Sequence, residues 1–329
     1  MVIAANRPVR VDLTPIPGRD CRASAAPYPA TSRNFVLGAD GGLRWRGGEG
    51  RVDGFELLQV VLEQASSHLG LSSLAERPFS VRLDSTSLYL AVGRGEPTKL
   101  GLGSSAALTV ALAVALREYS GLPGLTRQQW LPVLVAVHRA FQGGRGSGAD
   151  VAASLYGGSI VFELGSDGPA ARGMVLPSGL HYRFVWSGQP ASTPGLLGKL
   201  ATWREKNHKY YKSLMDQMAD VSTVAVNAAG EDDCARFLGA VSAYGRCLED
   251  LGKRADIDVY SRPHRRLSAL AFDSGLVYKP CGAGGGDLGV VLGADADGID
   301  RFIVQADAAG YPPIDISIDP AGVRTIRSS

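Results

Sequence analysis

Val9, Val11 and Leu13 alternate with polar or charged neighbours. That is the period of a strand buried on one face, and Pro15, Pro17 and Gly18 end it. From Thr31 to Gly50 glycines and aromatics point to hairpins. The stretch GFELLQVVLEQASSHLG then places apolar residues at helical spacing and stops at Gly70. FSVRLDSTSLYLAV reads as a strand, and helices are predicted from Ser104 to about Tyr119 and from about Arg127 to Phe141. QGGRGSGADVAASLYGGSIVFEL breaks the second of these with glycines and returns to a strand. Beyond Gly165 the pattern gives a strand at HYRFVWSG, a long helical stretch from about Pro194 to Gly230, and further helices toward Phe272. GLVYKPCGAGGGDLGVVLG joins a glycine-saturated turn to an apolar strand, and a last helix and strand finish near Ile326.

A chain of 329 residues is long enough for two domains, each with its own core. The change of pattern puts the boundary near Gly165, giving residues 1–165 and 166–329. Lys and Arg total 34 against 32 Asp and Glu, a net charge of +2 with no long basic run. That argues against a nucleic-acid partner. The apolar stretches fall short of a membrane span, and the amino terminus has no basic segment leading into a long apolar one. No membrane partner is expected. Cys21, Cys234, Cys247 and Cys281 are scattered without metal-binding spacing, which fits reduced thiols in a cytoplasmic protein and argues against structural zinc.

Chemistry enters with KLGLGSSAALTVALAVAL, Lys99 to Leu116. Glycines directly before an apolar helix leave its first backbone N–H groups unpaired at the positive end of the dipole, a natural phosphate site. An ordinary glycine turn capped by Ser104 or Ser105 gives the same pattern. Asp150 follows Gly146, Ser147, Gly148 and Ala149 and projects from a tight turn before a helix, where an aspartate alone reads as a helix cap. His138 lies on an apolar helix and reads as a satisfied, partly buried histidine rather than a ligand. Arg145 and Lys199 are reserve anion binders whose simpler reading is solvated charge.

The wording of three glycine-rich segments is more specific than their glycine content. GLGSSAA at Gly101 to Ala107 resembles the phosphate loop of the GHMP kinase superfamily, and KPCGAGGGDLGVVL at Lys279 to Leu292 resembles its carboxy-terminal motif. GRGSGADVAASLYGGSIVF and WSGQPAST resemble segments of the phosphomevalonate kinase family within it. Members of that family open with a strand carrying a proline-glycine-lysine phrase, which this sequence lacks. VIAANRPVRVDL resembles the segment just downstream of that phrase, so Met1 is expected to lie beyond the first motif.

The resemblance implies an α+β, two-domain GHMP kinase fold, with a mixed amino-terminal sheet that binds nucleotide and a carboxy-terminal α/β sandwich domain. It implies a cytoplasmic enzyme that uses ATP and Mg²⁺ to phosphorylate 5-phosphomevalonate, a small phosphorylated acceptor, to the diphosphate; oligomeric state stays open. Gly101, Leu102, Gly103, Ser104, Ser105 and Ala106 would bind the nucleotide, with Ser104 or Ser105 reaching the metal. Asp150 would orient or deprotonate the acceptor, with Ser147 positioning it and Gly148 letting the loop approach. Ser192, Thr193, Lys279, Gly284 and Gly285 would contact the acceptor. Simpler readings stand beside these: a cap for Ser192 or Thr193, solvated charge for Lys279, and an amide pairing for Asp287. Another GHMP small-molecule kinase, or a silent nucleotide-binding relative without the first motif, are the alternatives.

Overall fold

In the computed structural model, residues 1–27, 32–38, 40, 42–47, 54–90, 97–191 and 193–327 are described. The chain forms two compact units. One comprises Val2–Tyr89, Leu102–Gly173 and Ile318–Ser329; the other comprises Met1, Leu90–Gly101 and Met174–Ser317. The change near Gly165 expected from the pattern falls at Gly173–Met174 because a hairpin carries the chain onward in the first unit.

The amino-terminal unit holds strands β1 (Val2–Ile3), β2 (Arg10–Pro15), β3 (Cys21–Ala26), β4 (Arg33–Leu37), β5 (Leu43–Trp45) and β6 (Phe79–Asp84). Five of them make a sheet of order β2-β6-β3-β4-β5. It is mixed: β6 runs antiparallel to β2 (Leu13 opposite Val81) and parallel to β3 (Ala23 opposite Val81). Cys21, Ala23, Phe35, Leu37, Trp45, Phe79, Val81 and Leu83 are all buried, alternate positions that give this sheet one dry face. Phe35 meets Trp45 and Phe79 edge to face, with ring centroids 5.5 and 5.9 Å apart.

Helices α1 (Glu56–Gln64), α2 (Ser66–Leu69) and α3 (Leu71–Glu76) precede β6, and the left-handed Gly70 (φ 61°) separates α2 from α3. Short strands β7 (Tyr89–Leu90) and β8 (Thr98–Lys99) follow β6. Then come α4 (Ser104–Tyr119), α5 (Arg127–Phe141) and α6 (Ala149–Tyr156). The core unites the sheet with Leu58 and Leu62 of α1, Val110 and Leu116 of α4, and Leu134 and Val135 of α5. Thr126 starts α5 with a reciprocal box, accepting from the Gln129 amide at 3.2 Å while Gln129 Oε1 accepts from the Thr126 amide at 2.9 Å. Strand β9 (Ser159–Gly165) pairs with β1, and β10 (Gly168–Met174) completes that three-stranded sheet.

The carboxy-terminal unit is a sandwich. Strands β11 (His181–Trp186), β12 (Val277–Pro280), β13 (Leu288–Gly293) and β14 (Pro313–Ile314) form an antiparallel sheet of order β12-β13-β11-β14. Its helices are α7 (Thr193–Lys206), α8 (His208–Gly230), α9 (Cys234–Ala255), α10 (Arg262–Asp273) and α11 (Ala296–Ala308). Along β13 the period of two is read directly. Val291 joins a core with Leu267 of α10 and Phe302 of α11, whereas Val290 and Leu292 join another with Ala228 of α8 and Phe237 of α9. The expected strand near Ile326 is absent among the described residues: the last strand is Pro313–Ile314, and beyond it only Ile318 bridges, to Ala5. Among the described residues no helix is long and apolar enough to cross a membrane, and the four cysteines are free thiols.

Candidate active site

The glycine loop ends in helix α4, as its sequence demands. Gly101 and Gly103 take φ of 71° and 75°, positions where a side chain would be strained. Gly103 is the residue that caps α4, and no side chain bonds the first-turn amides. Neither serine caps the helix, so the capping alternative gives way. The buried Ser104 opens α4, and the hydroxyl of Ser105 lies 3.0 Å from Nε2 of His138. An uncapped helix start, with a glycine in front, offers amides and a positive dipole end to an anion.

Asp150 sits beside that start. A Cβ built on Gly103 would lie 3.4 Å from Cβ of Asp150 and 3.9 Å from its Oδ2. Asp150 stands in the first turn of α6 but does not cap it. Gly148 (φ 88°) is the cap residue, and the hydroxyl of Ser147 accepts from the Ala149 amide at 3.2 Å. Oδ1 of Asp150 accepts from the Val151 amide at 3.0 Å.

Helix α5 holds this loop in place. Arg139 donates from Nε to the carbonyl of Gly146 (3.0 Å) and from Nη2 to that of Ser147 (3.2 Å). A Cβ on Gly148 would lie 2.7 Å from the methyl groups of Val135, so only glycine lets the loop pass this close. His138 is 2 % exposed and turns Nδ1 toward Oδ1 of Asp150 at 3.9 Å. Burial pushes its imidazole below the ordinary histidine range, against the opposing pull of the Asp150 carboxylate.

The third glycine segment lies in the carboxy-terminal unit. Gly284 and Gly285 take φ of 77° and 82°, and a Cβ on Gly284 would meet the Val259 carbonyl at 2.5 Å. The Gly285 amide donates to that carbonyl at 2.9 Å. Asp287, itself at φ 57°, accepts the Ala191 amide on Oδ1 at 3.1 Å. A Cβ on Gly101 would collide with its carboxylate. Burial raises the Asp287 carboxyl, opposed by the Ala191 amide and by Lys99. Buried His264 braces the loop from α10. Its Nε2 lies 2.9 Å from the Gly286 carbonyl and its Nδ1 2.7 Å from the Tyr278 hydroxyl. A carbonyl only accepts, so Nε2 carries the proton and the tyrosine hydroxyl donates to Nδ1.

A loop of this geometry ahead of α4 falls inside residues 57–158, which match the family model of the GHMP kinases N terminal domain. That match covers under a third of the chain and lies, apart from residues 90–101, in its amino-terminal unit. The chain is 30% identical over 217 residues to a phosphomevalonate kinase of Streptomyces sp. (strain CL190), a match covering 59% of this chain and 57% of that protein. It thus spans little more than half the length of this relative. Two solved structures share the two-domain GHMP kinase fold. The Lin0012 protein from Listeria innocua has a TM-score of 0.80 at 19% identity, over 96% of this chain and 90% of that one. The Streptococcus pneumoniae phosphomevalonate kinase in complex with phosphomevalonate and AMPPNP has a TM-score of 0.75 at 17% identity, over 94% and 90%.

The amino-terminal unit brings together Gly103, Ser105, Ser147, Gly148 and Asp150, with Leu102, Ser104 and Ala106 in the same loop and first turn. Gly101, Lys279, Gly284 and Gly285 belong to the carboxy-terminal unit. There Lys279 is half-buried and donates from Nζ to the Pro280 carbonyl at 2.7 Å. Ser192 lies outside the described residues, and Thr193 begins α7 with its side chain likewise outside them. Arg145 is exposed. Lys199 is engaged on the surface with Asp256, 3.2 Å from its carbonyl and 3.9 Å from its carboxylate. Asp287 bears out the simple amide pairing. Sequence reasoning put His138 among satisfied core residues and did not join it to Ser105 and Asp150. The signal was a lone imidazole on the apolar face of α5 just ahead of the glycine turn, too common a pattern to assign.

Proposed function

We propose that this chain transfers the terminal phosphoryl group of ATP to the phosphate of 5-phosphomevalonate, forming the diphosphate and ADP. The observation that carries this reading is the meeting of the uncapped start of α4 with Asp150 across Gly103. Phosphoryl transfer asks a protein to hold donor and acceptor in line and to stabilise spreading charge, with little covalent work. The α4 amides are suited to the first task at the nucleotide phosphates. Asp150, 42 % exposed and held at Oδ1, is suited to orienting or deprotonating the acceptor. Similarity to the Streptomyces phosphomevalonate kinase favours phosphomevalonate as the acceptor. Ser147, Gly148, Ser192, Thr193, Lys279, Gly284 and Gly285 are the residues we assign to it.

Magnesium fits this site as an ion carried on phosphate. Among the described residues no cluster of three or more acidic, histidine or cysteine side chains stands ready for a metal, and Mg²⁺ ordinarily takes only one or two protein ligands beside phosphates and water. Ser104 or Ser105 would contribute that ligand, and the ion when bound neutralises charge on the phosphate oxygens.

The test is ADP release by the full chain with ATP and Mg²⁺ and 5-phosphomevalonate, mevalonate or no acceptor. Release with phosphomevalonate alone is expected. Release with another small alcohol or phosphorylated acid assigns the chain to a different GHMP kinase activity, since acceptor pockets diverge on a shared fold. Nucleotide binding without turnover on any acceptor marks a silent relative. Asp150→Asn is expected to abolish turnover and spare ATP binding; turnover near the wild-type rate moves the acid-base role elsewhere.

A further inference from the structure

Three side chains of the amino-terminal unit stand in a row that the proposed reaction does not use as a unit. Ser105 on α4, His138 on α5 and Asp150 on α6 are connected by 3.0 Å from hydroxyl to Nε2 and 3.9 Å from Nδ1 to carboxylate. The imidazole is 2 % exposed and stacked with Phe141 at 6.5 Å between ring centroids, so it is closed off from water. We infer that His138 is a positioning residue, which hydrogen-bonds the Ser105 hydroxyl at Nε2 and orients the Asp150 carboxylate electrostatically from Nδ1, across 3.9 Å rather than through a direct hydrogen bond.

The chemistry of its neighbours sets that direction. Asp150 as a carboxylate only accepts, so it selects the tautomer with the proton on Nδ1. Nε2 is then an acceptor, and the Ser105 hydroxyl donates inward to it. The proposed site gains two properties from this order. Oδ1 of Asp150, bonded by the Val151 amide and faced by the imidazole, is fixed, leaving Oδ2 to meet an acceptor. Ser105, its proton committed to His138, presents only lone pairs outward, which favours a cation over a phosphate oxygen. A histidine that served packing alone would need neither. His264 in the other unit shows the opposite arrangement, with the proton on Nε2 because that atom faces a carbonyl, and it supplies an internal reference. The inference rests on the reading of Asp150 as the group that meets the acceptor.

Nitrogen NMR of the full chain labelled in its five histidines, at mildly alkaline pH and without substrate, reads the tautomers directly. His138→Gln and His264→Gln assign the two signals. The expected result is a proton on Nδ1 for His138 and on Nε2 for His264, with Asp150→Ala releasing His138 alone into a mixture. A proton on Nε2 of His138, or no response to Asp150→Ala, overturns the proposal. These readings involve no turnover, so they stand or fall apart from the kinase assignment. In kinetics, His138→Gln keeps a polar group for Ser105 but loses the one facing Asp150, and should lower kcat by roughly 10- to 100-fold with the KM for ATP unchanged. His138→Asn restores an N–H at the Nδ1 position and should recover most of that loss. Equal losses in both variants, or a loss confined to KM at matched melting temperature, also overturn it.

Discussion

At the scale of single residues, Gly148 decides whether the loop bearing Asp150 can exist. Its φ of 88° disfavours any L side chain, and its Cα passes so near Val135 that a methyl group would sit 2.7 Å from that side chain. Gly148→Ala therefore combines backbone strain with overpacking and is expected to cost about 1–3 kcal/mol of stability, read as a lower denaturation midpoint. Val135→Ala, which removes the obstructing methyl groups, should return part of that loss in the double variant; additivity of the two losses would show that the contact is not the cause. The sequence displayed this glycine as one of many. The need for it came from a valine thirteen positions earlier on α5, which no local pattern reports. The same holds for His138, whose residue type and helix were legible while its partners on α4 and α6 were not.

At the scale of elements, α10 shows how a buried histidine ties stability to pH. His264 joins this helix to Tyr278 on β12 and to the Gly286 carbonyl, and burial pushes its imidazole below the ordinary value, helped by Lys279 and opposed by the Gly286 bond and Asp258. A histidine held neutral in the folded state binds fewer protons than the unfolded chain once pH falls below about 6.5, so its contribution declines as acid is added. Urea midpoints of the wild type and His264→Gln should accordingly converge as pH drops below that value, the variant being the less stable at neutral pH; a gap that stays constant or widens would contradict the sign. Elements with strong periodicity were legible: α4 from Ser104 to Tyr119 and α5 from Arg127 to Phe141 stand where the pattern put them. Strands β3 (CRASAA) and β10 (GPAARGM) were not. Their small side chains carry little alternation, and they are strands because β6 and β9 offer them edges, a property of the neighbours rather than of the segments.

At the scale of the whole molecule, the chain order conceals how the units are built. Residues 318–329 belong to the amino-terminal unit, although a division by sequence pattern assigns everything after Gly165 to the second half. The return is made by hydrogen bonds to backbone carbonyls more than by a strand. The Gly158 amide donates to the Asp319 carbonyl at 2.6 Å, the Asp319 amide donates to that of Ala4 at 2.9 Å, and Arg127 Nη2 donates to that of Ala321 at 2.8 Å. Gly157 and Gly322 approach so closely that a Cβ on Gly157 would collide with the Gly322 amide, and Val323 packs on the core of that unit. The ion pair of Arg327 with Glu118 joins them at 2.9 Å, but the arginine is 85 % exposed and such a pair contributes little. The three hydrogen bonds together are worth about 3 kcal/mol, and their loss would leave the Ala4 carbonyl and the Gly158 amide without these partners, although the Ala4 amide still donates to the Gly158 carbonyl. Deleting residues 318–329 should consequently lower the melting temperature and open cleavage sites in 2–89 and 102–173 first, with the sandwich of α8 to α11 protected. Mass spectrometry of the fragments from brief proteolysis distinguishes this from the alternative. If the first cuts fall in α8 or α9, the tail supports the unit it follows in sequence, and the hydrogen bonds to Ala4 and Gly158 are not what closes the amino-terminal unit.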